Sequence, residues 1–410
     1  MRRYILTRNL GVAVAPPVRE IWDADNHLYE PADAYTRHLP RQYRDAIQWI
    51  QVGGQTKLMI KGRLTDTIPN PTYEVVASPG AWADYFRGIN PDGKSLRELA
   101  DPIACPDSFR RADQRLALLD EQGVHACVMF PTTGGMLEER MTDDIELAHA
   151  VVHAYNRWLL EEWSFDYRGR IFATPVITLP DVDKAVAELD WCVENGARAV
   201  LVNPRPVATP SGRTTSMGQP YFDPFWARLS QHGIPVLMHA CDSGYDRYSR
   251  DWEGAGAEYQ PFKPDAFKTI VYEDARSILD TCAALVAHGV FTRHPGVRVG
   301  VVENGGNWVP RLIDLFDRVY KKMPAEFGEH PVAAFKRHIW VNPFHEEDMA
   351  GLIDLIGADR VLFGSDYPHP EGLAHPAELT PEIAALDEPV IERIVGANLR
   401  ELLTAVPGGR

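Results

Sequence analysis

Eight short runs of residues, each continuously apolar rather than alternating with polar positions, constrain the fold of this 410-residue chain more than any other feature. Parallel strands that are buried on both faces have this composition, because neither face meets solvent. The sequence therefore predicts eight buried parallel strands. In chain order the runs are REIWDA before Asp25, ACVMFPT from Ala126, IFATPVI from Ile171, ARAVLVN from Ala197, PVLMHA from Pro235, VRVGVVE from Val297, IWVNPF from Ile339 and RVLFGSD from Arg360.

Segments with helical periodicity separate these runs. Trp308, Leu312 and Leu315 recur every three or four residues, and Gly123 is placed to end an earlier helix. A strand and a helix that alternate about eight times favour an α/β fold, and more specifically a (β/α)8 TIM barrel over an open sheet. No G-x-G-x-x-G motif follows the first run, which argues against dinucleotide binding. We expect residues 1–410 to form a single barrel domain.

One long segment does not fit this alternation. Residues at about 40–105 lie between the first two predicted strands and are too many for an ordinary strand-to-helix loop. The segment contains Trp49, Trp82, Tyr85 and Phe86, with many glycines and prolines. We interpret it as an insertion on the catalytic face, formed by a small hairpin and a lid. The alternative is an excursion into solvent that has no role in binding.

Charge and composition exclude several classes of partner. The net charge of -15 makes phosphate backbones and anionic membrane surfaces unfavourable partners. The sequence has no run of about 18 apolar residues that could span a membrane, and its first residues are too polar for a signal peptide. The five cysteines are odd in number and form no Cys-x-x-Cys pair, which indicates free thiols. We expect a cytoplasmic protein that binds neither nucleic acid nor membrane.

Residues of the types that bind metals stand at the ends of several predicted strands, where barrel enzymes carry their functional groups. Asp25 and His27 are two residues apart, so on an extended strand both side chains point to the same face. His239 ends the fifth run and Asp366 ends the eighth. A single histidine at a strand end is more often a hydrogen-bonded structural residue than a ligand. Two imidazoles and two carboxylates together can surround and neutralise one divalent cation.

At these same positions the chain resembles a known family. The segments DADNHLYEP, PVLMHA, ENGGNW and LFGSDYPHPEG are similar to those of the amidohydrolase superfamily. They most resemble its branch named for aminocarboxymuconate semialdehyde decarboxylase, and the resemblance extends from about Ile21 to Leu403. It implies a metal-dependent TIM-barrel enzyme, in which Asp25, His27, His239 and Asp366 are the metal ligands. It also implies that Asp366 moves protons.

The chain departs from the pattern of this family at two positions. Asp25 stands where His or Glu is usual, which makes the site harder and more anionic. That change favours Mn or Fe over Zn, although Zn stays open. Glu303 stands where many members carry a His that assists the chemistry. We therefore expect Glu303 to serve as a catalytic proton relay or as an extra metal ligand.

Further candidates lie near the predicted mouth of the barrel. His369 could donate a proton, bind a substrate carboxylate, or form a structural hydrogen bond. Arg205 could pair with a substrate carboxylate, or form a surface ion pair. The same two interpretations apply to Tyr245 and Arg247. Asn342 lies near the mouth, and the sequence does not indicate where its side chain points. We assign His369 to catalysis and the other four residues to substrate binding.

The resemblance implies non-oxidative decarboxylation of a small aromatic or unsaturated carboxylic acid. The residues themselves permit two other reactions on the same scaffold. One is metal-dependent hydrolysis of an amide, ester or lactone, with Asp366 as general base. The other is hydration of a double bond. A non-catalytic barrel that only binds a small molecule would not need four residues of the types that coordinate metals. We expect a homodimer or a homotetramer that acts on a small molecule.

Overall fold

The computed structural model describes residues 19–65, 71–254, 265–273 and 275–404, and side chains 246, 247, 272 and 273 lie outside the described part. The described strands, in chain order, are β1 (Ile21–Leu28), β2 (Ile47–Val52), β3 (Gln55–Ile60), β4 (Arg63–Thr65), β5 (Val75–Ala77), β6 (Pro102–Ala104), β7 (Val124–Pro131), β8 (Ile171–Ala173), β9 (Val200–Leu201), β10 (Val207–Ala208), β11 (Thr214–Thr215), β12 (Val236–His239), β13 (Val299–Val302) and β14 (Ile339–Val341).

Helices fill most of the segments between these strands. Asp144 and Asp181 cap two of them, because each carboxylate accepts hydrogen bonds from backbone N–H groups of the first turn. The α-helices are α1 (Ala83–Phe86), α2 (Leu96–Leu99), α3 (Ala112–Gln122), α4 (Ile145–Trp163), α5 (Val182–Glu194), α6 (Asp223–His232), α7 (Asp246–Glu253), α8 (Ala266–Glu273), α9 (Arg276–Ala287), α10 (Val290–Arg293), α11 (Trp308–Lys322), α12 (Pro331–His338), α13 (Met349–Ile356), α14 (Pro381–Ala384), α15 (Glu388–Glu392) and α16 (Asn398–Thr404).

The buried strands pair in parallel, as their composition predicts. One sheet has the order β1-β7-β8 and another the order β14-β13-β12-β9. Every residue of β1, β12, β13 and β14 is buried, as is usual for parallel strands that are covered on both faces. The fold is therefore of the mixed α/β class that the sequence predicts.

The eighth predicted strand differs from the other seven. In the described residues, 360–366 form no strand and make only a single bridge, from Val361 to Val341. Other parallel bridges join Val176 to Leu201 and Asn26 to Tyr367. The eighth segment still accepts a hydrogen bond from β1, because the N–H of Ala24 lies 2.8 Å from the carbonyl oxygen of Phe363. Its backbone leaves regular strand geometry at Asp366, where φ is +56°.

The long segment between β1 and β7 forms two small antiparallel sheets. Strands β2, β3 and β4 form the first, and β5 pairs with β6 in the second. Ile47, Leu58 and Ile60 of the first sheet are buried in the main hydrophobic core. Deleting this sheet would expose that core, so it is more than the hairpin and lid that the sequence suggests. Of the helices that the structure describes, none has the length and apolar character needed to cross a bilayer.

Candidate metal centre

Strand β1 supplies two neighbouring side chains to the site. Asp25 and His27 are almost fully buried, and the Oδ1 atom of Asp25 lies 3.3 Å from the Nε2 atom of His27. Both residues belong to β1, which runs four residues beyond the end predicted from the sequence. Between Asp23 and Asn26 the strand carries one more residue than its partner β7. A bulge of this kind bends the strand locally and changes the direction of its side chains, and bulges are common next to functional sites.

His239, the last residue of β12, meets this pair. Its Nε2 atom lies 3.1 Å from Nε2 of His27 and 3.4 Å from Oδ1 of Asp25. The other ring nitrogen, Nδ1, is 2.8 Å from the carbonyl oxygen of Ala240 and donates to it. This hydrogen bond fixes the tautomer, so the Nε2 lone pair of the neutral ring faces Asp25 and His27.

Two more carboxylates enter from the ends of other segments. Glu303 directly follows β13, and its Oε2 atom lies 2.7 Å from Nε2 of His239 and 3.5 Å from Nε2 of His27. Asp366 brings its Oδ1 atom to 3.5 Å from Nε2 of His27. Both residues have positive φ, +50° for Glu303 and +56° for Asp366. Residues other than glycine rarely adopt this conformation, and it concentrates at functional sites.

The arrangement fits a divalent cation. Among the described residues, Asp25 Oδ1, Glu303 Oε2 and Asp366 Oδ1 are buried and have no hydrogen-bond partner. Buried anionic oxygens are costly unless a positive charge compensates them. Ligand atoms that each lie about 2.1 Å from one centre are roughly 3.0–3.4 Å apart. The separations of 3.1, 3.3 and 3.4 Å within the group of Asp25, His27 and His239 match this spacing. These three residues and Glu303 form one group that could hold a metal ion.

The charges within the site are strongly coupled. Burial raises the pKa of Asp366 well above its usual value, and the negative charge of Glu303 raises it further. Burial disfavours the charged form of His239, but the carboxylates of Glu303 and Asp25 outweigh it and raise the pKa of His239 to about 10. Positive charge is therefore favourable at this position. A divalent cation can supply it while the imidazoles stay neutral ligands.

His369 lies against the same group. Its ring stacks on that of His27, with 4.0 Å between the centroids, and its Nδ1 atom lies 2.7 Å from Oδ1 of Asp366. His27, Glu303, Asp366 and His369 form a second group of residues that could hold a metal ion. The structure thus brings together the four predicted ligands and all three residues assigned to catalysis.

The residues assigned to substrate binding are more dispersed. Arg205 is buried and pairs with Glu139 at 2.7 Å, so its ion pair is not on the surface. Tyr245 donates a hydrogen bond to Asp280 at 2.6 Å, outside the metal centre. Asn342 is buried against Gly364. A Cβ atom added to that glycine would lie only 2.8 Å from the Oδ1 atom of Asn342. The side chain of Arg247 lies outside the described residues.

Sequence reasoning missed two buried residues that hold the site together. Asp23 accepts hydrogen bonds from Asn26 Nδ2, the Asp25 N–H, and the N–H and hydroxyl of Ser365, and so ties β1 to the eighth segment. Arg115 of α3 donates to the carbonyl oxygen of His27 at 2.8 Å and to Asn26 Oδ1. The available signals were the two-residue spacing of Asp23 from Asp25, and the position of Arg115 on the apolar face of its helix.

We expect Asp23→Ala to destabilise the fold as well as the site. It leaves three buried donors without an acceptor, namely the N–H groups of Asp25 and Ser365 and the amide of Asn26. At about 1–3 kcal/mol for each group left unpaired, the free energy of unfolding should fall by about 3 kcal/mol or more. Urea denaturation measures this change, with Asp33→Ala on the exposed surface as control. Equal stability of the two variants would contradict the structural role of Asp23.

Comparison with known proteins places the chain in a family. The sequence profile described as Amidohydrolase matches residues 71–404. A gamma-resorcylate decarboxylase of Rhodococcus jostii is 28% identical over 278 residues, which are 65% of this chain and 79% of that protein. A 2-amino-3-carboxymuconate-6-semialdehyde decarboxylase of Dictyostelium discoideum is 25% identical over 198 residues, which are 47% of this chain and 51% of that protein.

A solved structure is similar over nearly the full length. It is an amidohydrolase of Mycobacterium avium subsp. paratuberculosis K-10, which is 38% identical and has a TM-score of 0.88. The similarity covers 94% of this chain and 99% of that one. The family profile spans most of the chain, and the similar proteins named as decarboxylases confirm the branch indicated by the sequence motifs. This protein is therefore an enzyme that belongs to the amidohydrolase family.

Proposed function

We propose that this enzyme catalyses the metal-dependent, non-oxidative decarboxylation of a small aromatic or unsaturated carboxylic acid. The observation that carries the proposal is the convergence of three buried carboxylate oxygens, from Asp25, Glu303 and Asp366, on the imidazoles of His27 and His239. The decarboxylases among its relatives support the reaction type. Gamma-resorcylate is the substrate in the name of one of them, so hydroxybenzoic acids are the substrate class that we propose.

We further propose that the whole chain is one closed (β/α)8 barrel with a lid at about 40–105. The parallel bridges from Val176 to Leu201, and from Asn26 to Tyr367, support closure. Support for the lid comes from Trp82, whose backbone N–H donates a hydrogen bond to the carbonyl oxygen of Pro370 at 2.7 Å. That hydrogen bond joins the segment at about 40–105 to the loop that carries Asp366.

The roles follow from the positions of the ligand atoms. Asp25, His27, His239 and Asp366 would hold the cation. The bound cation would orient the substrate carboxylate with an adjacent oxygen and stabilise developing negative charge. Oxygen ligands from Asp25 and Asp366 favour Mn or Fe, with Zn as the remaining possibility.

Asp366 is the proposed proton donor. Burial and the neighbouring carboxylates raise its pKa, whereas a bound cation would lower it, so the anionic neighbours would keep one shared proton in the cluster near neutral pH. Its proton is transferred to the carbon that bears the carboxylate. The bond to the carboxylate carbon then breaks, its electron pair returns to the unsaturated system, and carbon dioxide leaves. Asp366 regains its proton from solvent before the next turnover.

Arg205, Tyr245, Arg247 and Asn342 stay proposed substrate contacts, and Arg205 has the strongest support. It is buried, and its Nη1 atom has no hydrogen-bond partner among the described residues although the guanidinium pairs with Glu139. A free donor on a buried guanidinium suits a substrate carboxylate or hydroxyl. A homodimer or homotetramer remains our prediction for the assembly.

Hydrolysis is the second candidate, because the family is described as Amidohydrolase and the same ligands can activate a water molecule. Isotopes from solvent distinguish the two reactions. We expect the manganese-loaded enzyme, incubated in deuterium oxide with a panel of ortho-hydroxybenzoic acids, to release carbon dioxide and to place one deuterium on the ring carbon. Metal-stripped enzyme is the control. Incorporation of oxygen-18 from labelled water into cleaved amides, esters or lactones, without release of carbon dioxide from any acid, would instead identify a hydrolase.

A further inference from the structure

The residues of the candidate metal centre have little contact with solvent. Asp25 and His27 are 2% and 1% exposed, and His239 and Asp366 are 6% and 8% exposed. Glu303 is more open, with 20% of its side chain exposed. An aromatic acid whose carboxylate meets the cation must contact several of these side chains, and so narrow an opening does not admit its ring. Part of the chain therefore has to move before such a substrate can enter.

Residues 78–101, which we call the strap, are the part of the segment at about 40–105 that contributes no buried side chain. None of its residues, all of which the structure describes, is buried, and this includes both α1 and α2. By contrast, Ile47, Leu58 and Ile60 of the sheet formed by β2, β3 and β4 lie in the hydrophobic core. Segments with few buried apolar contacts open at the lowest free-energy cost. The strap can therefore open while that sheet stays in place.

The strap is closed at its neck and is hydrogen-bonded within itself. At the neck, the N–H of Ser78 donates to the carbonyl oxygen of Ala100 at 3.0 Å, and its hydroxyl donates to that of Asp101 at 2.6 Å. These bonds lie directly beside the paired strands β5 and β6. Further along, the indole N–H of Trp82 donates to the carbonyl oxygen of Leu96 at 2.9 Å and so joins α1 to α2. None of these bonds has to break when the strap moves, so it can move as one unit about its neck.

Backbone contacts hold the strap against the loop that follows Asp366. The N–H of Trp82 donates to the carbonyl oxygen of Pro370 in this loop at 2.7 Å. Gly80 lies so close to the same loop that a Cβ atom added to it would be 2.9 Å from the Cβ atom of Ala374. The closed strap therefore restrains the segment that carries one of the candidate metal ligands.

Arg87, which follows α1, joins the strap to another part of the barrel. Its Nη1 atom lies 3.3 Å from Oε1 of Glu382 in α14, and both side chains are 28% exposed. Its charge also acts on the loop after β14. Burial and then the positive charge of Arg87 lower the pKa of His345 to about 4, while the negative charge of Asp25 acts in the opposite direction. The ion pair with Glu382 is therefore placed to hold the strap near the mouth of the site.

We propose that the strap is a gate, which opens as one unit about its neck to admit the substrate and closes over the bound acid. The ion pair between Arg87 and Glu382 is the latch that holds the gate closed. This inference rests on the proposed function for the nature of the substrate, a small aromatic acid. It assigns a role in substrate entry to two residues that lie outside the candidate metal centre.

Hydrogen–deuterium exchange followed by mass spectrometry measures the opening directly. We expect peptides of the strap to exchange faster than those of residues 47–60. Arg87→Ala and Glu382→Gln should each raise exchange throughout the strap by about two- to five-fold, which is the usual effect of losing a partly exposed ion pair. The double variant should go no further than the single ones, because both remove the same latch. Arg111→Ala is the matched control, since Arg111 pairs with Asp113 on the exposed surface outside the strap.

A cross-link tests whether the strap controls entry to the site. Arg87→Cys and Glu382→Cys are combined and joined by a bismaleimide, in a background whose partly exposed cysteines, Cys105 and Cys241, are changed to alanine. The rate at which a chelator removes manganese from the loaded protein is compared before and after cross-linking. We expect the cross-link to slow removal by at least ~10-fold, because a segment that covers a site controls what enters and leaves it. Arg87→Ala should instead speed removal.

Three results would overturn the inference. They are strap exchange as slow as that of residues 47–60, an effect of Arg87→Ala confined to the peptide around position 87, and metal removal that the cross-link leaves unchanged. Absence of decarboxylation by the wild type would contradict the proposed function instead, and a protein that takes up no manganese would contradict the metal centre. In either case the exchange measurements would still decide whether the strap opens as a unit.

Discussion

His239→Ala is expected to lose bound metal and, with it, activity. The imidazole lies 3.1 Å from His27, 3.4 Å from Asp25 and 2.7 Å from Glu303, so it borders the other three residues of the first candidate group. Its removal takes away one nitrogen ligand and leaves the anionic oxygens with less compensation. Metal affinity falls when a site loses a ligand of this kind. We expect about one transition metal per chain in the wild type and a small fraction of that in the variant.

Elemental analysis of the purified proteins measures the occupancy, and the initial rate of carbon dioxide release measures the activity. His330→Ala is the control, because His330 is partly exposed and pairs with Asp317 on the surface. Chelation of the wild type should reproduce the loss of activity, and added manganese should reverse it. A metal-free protein with full activity would refute the metal centre as the basis of catalysis.

Asp366→Asn is expected to keep the fold and lower kcat by at least ~100-fold, the low end of the contribution of a general acid or base. Asparagine matches the size of aspartate and tolerates the positive φ of +56° at this position, so backbone strain should not change. It cannot deliver a carboxyl proton. Stopped or continuous assays at saturating substrate give kcat, and circular dichroism checks the fold. Asp359→Asn, at an exposed position, is the control.

Glu303→Gln separates the two roles considered for Glu303. Bound metal with lost activity would support a proton relay, whereas lost metal would support a ligand. The 2.7 Å separation of Glu303 Oε2 from His239 Nε2 is compatible with both roles. If Asp366→Asn and Glu303→Gln both keep their metal and turn over like the wild type, the proposed proton chemistry is wrong. His369 would then be the residue to test.

The residues of the candidate metal centre could be chosen from the sequence because the rules that place them near one another are local. Asp25 and His27 share a face through the two-residue period of a strand, and His239 marks the end of an apolar run. The network around Asp23 and Arg115 could not be predicted in the same way. Its partners are backbone groups and distant side chains, such as Ser365, which is 342 residues from Asp23. No local pattern indicates which buried polar residue will meet which strand end.

The fold, like the site, could be predicted from the sequence only in part. Continuous apolar runs predict the parallel strands, since burial on both faces leaves a clear composition. The segment at about 40–105 was harder to interpret, because β5 and β6 are three residues long and pair across more than twenty intervening residues. The eighth segment is apolar like the others but stops short of regular pairing. Its end turns into the left-handed conformation at Asp366.

The left-handed backbone at Glu303 and Asp366 restricts how this enzyme can evolve. Besides glycine, the side chains that best tolerate such a φ are Asn, Asp and His, and β-branched residues are strongly disfavoured. Asp and His are also metal ligands and proton carriers. The conformation of the main chain therefore disfavours most apolar replacements at both positions, and Asp and His, two of the side chains that it tolerates best, keep acid–base or coordinating ability. New substrate preferences are then more readily acquired through the segment at about 40–105 and the surrounding loops than through replacement of Glu303 or Asp366.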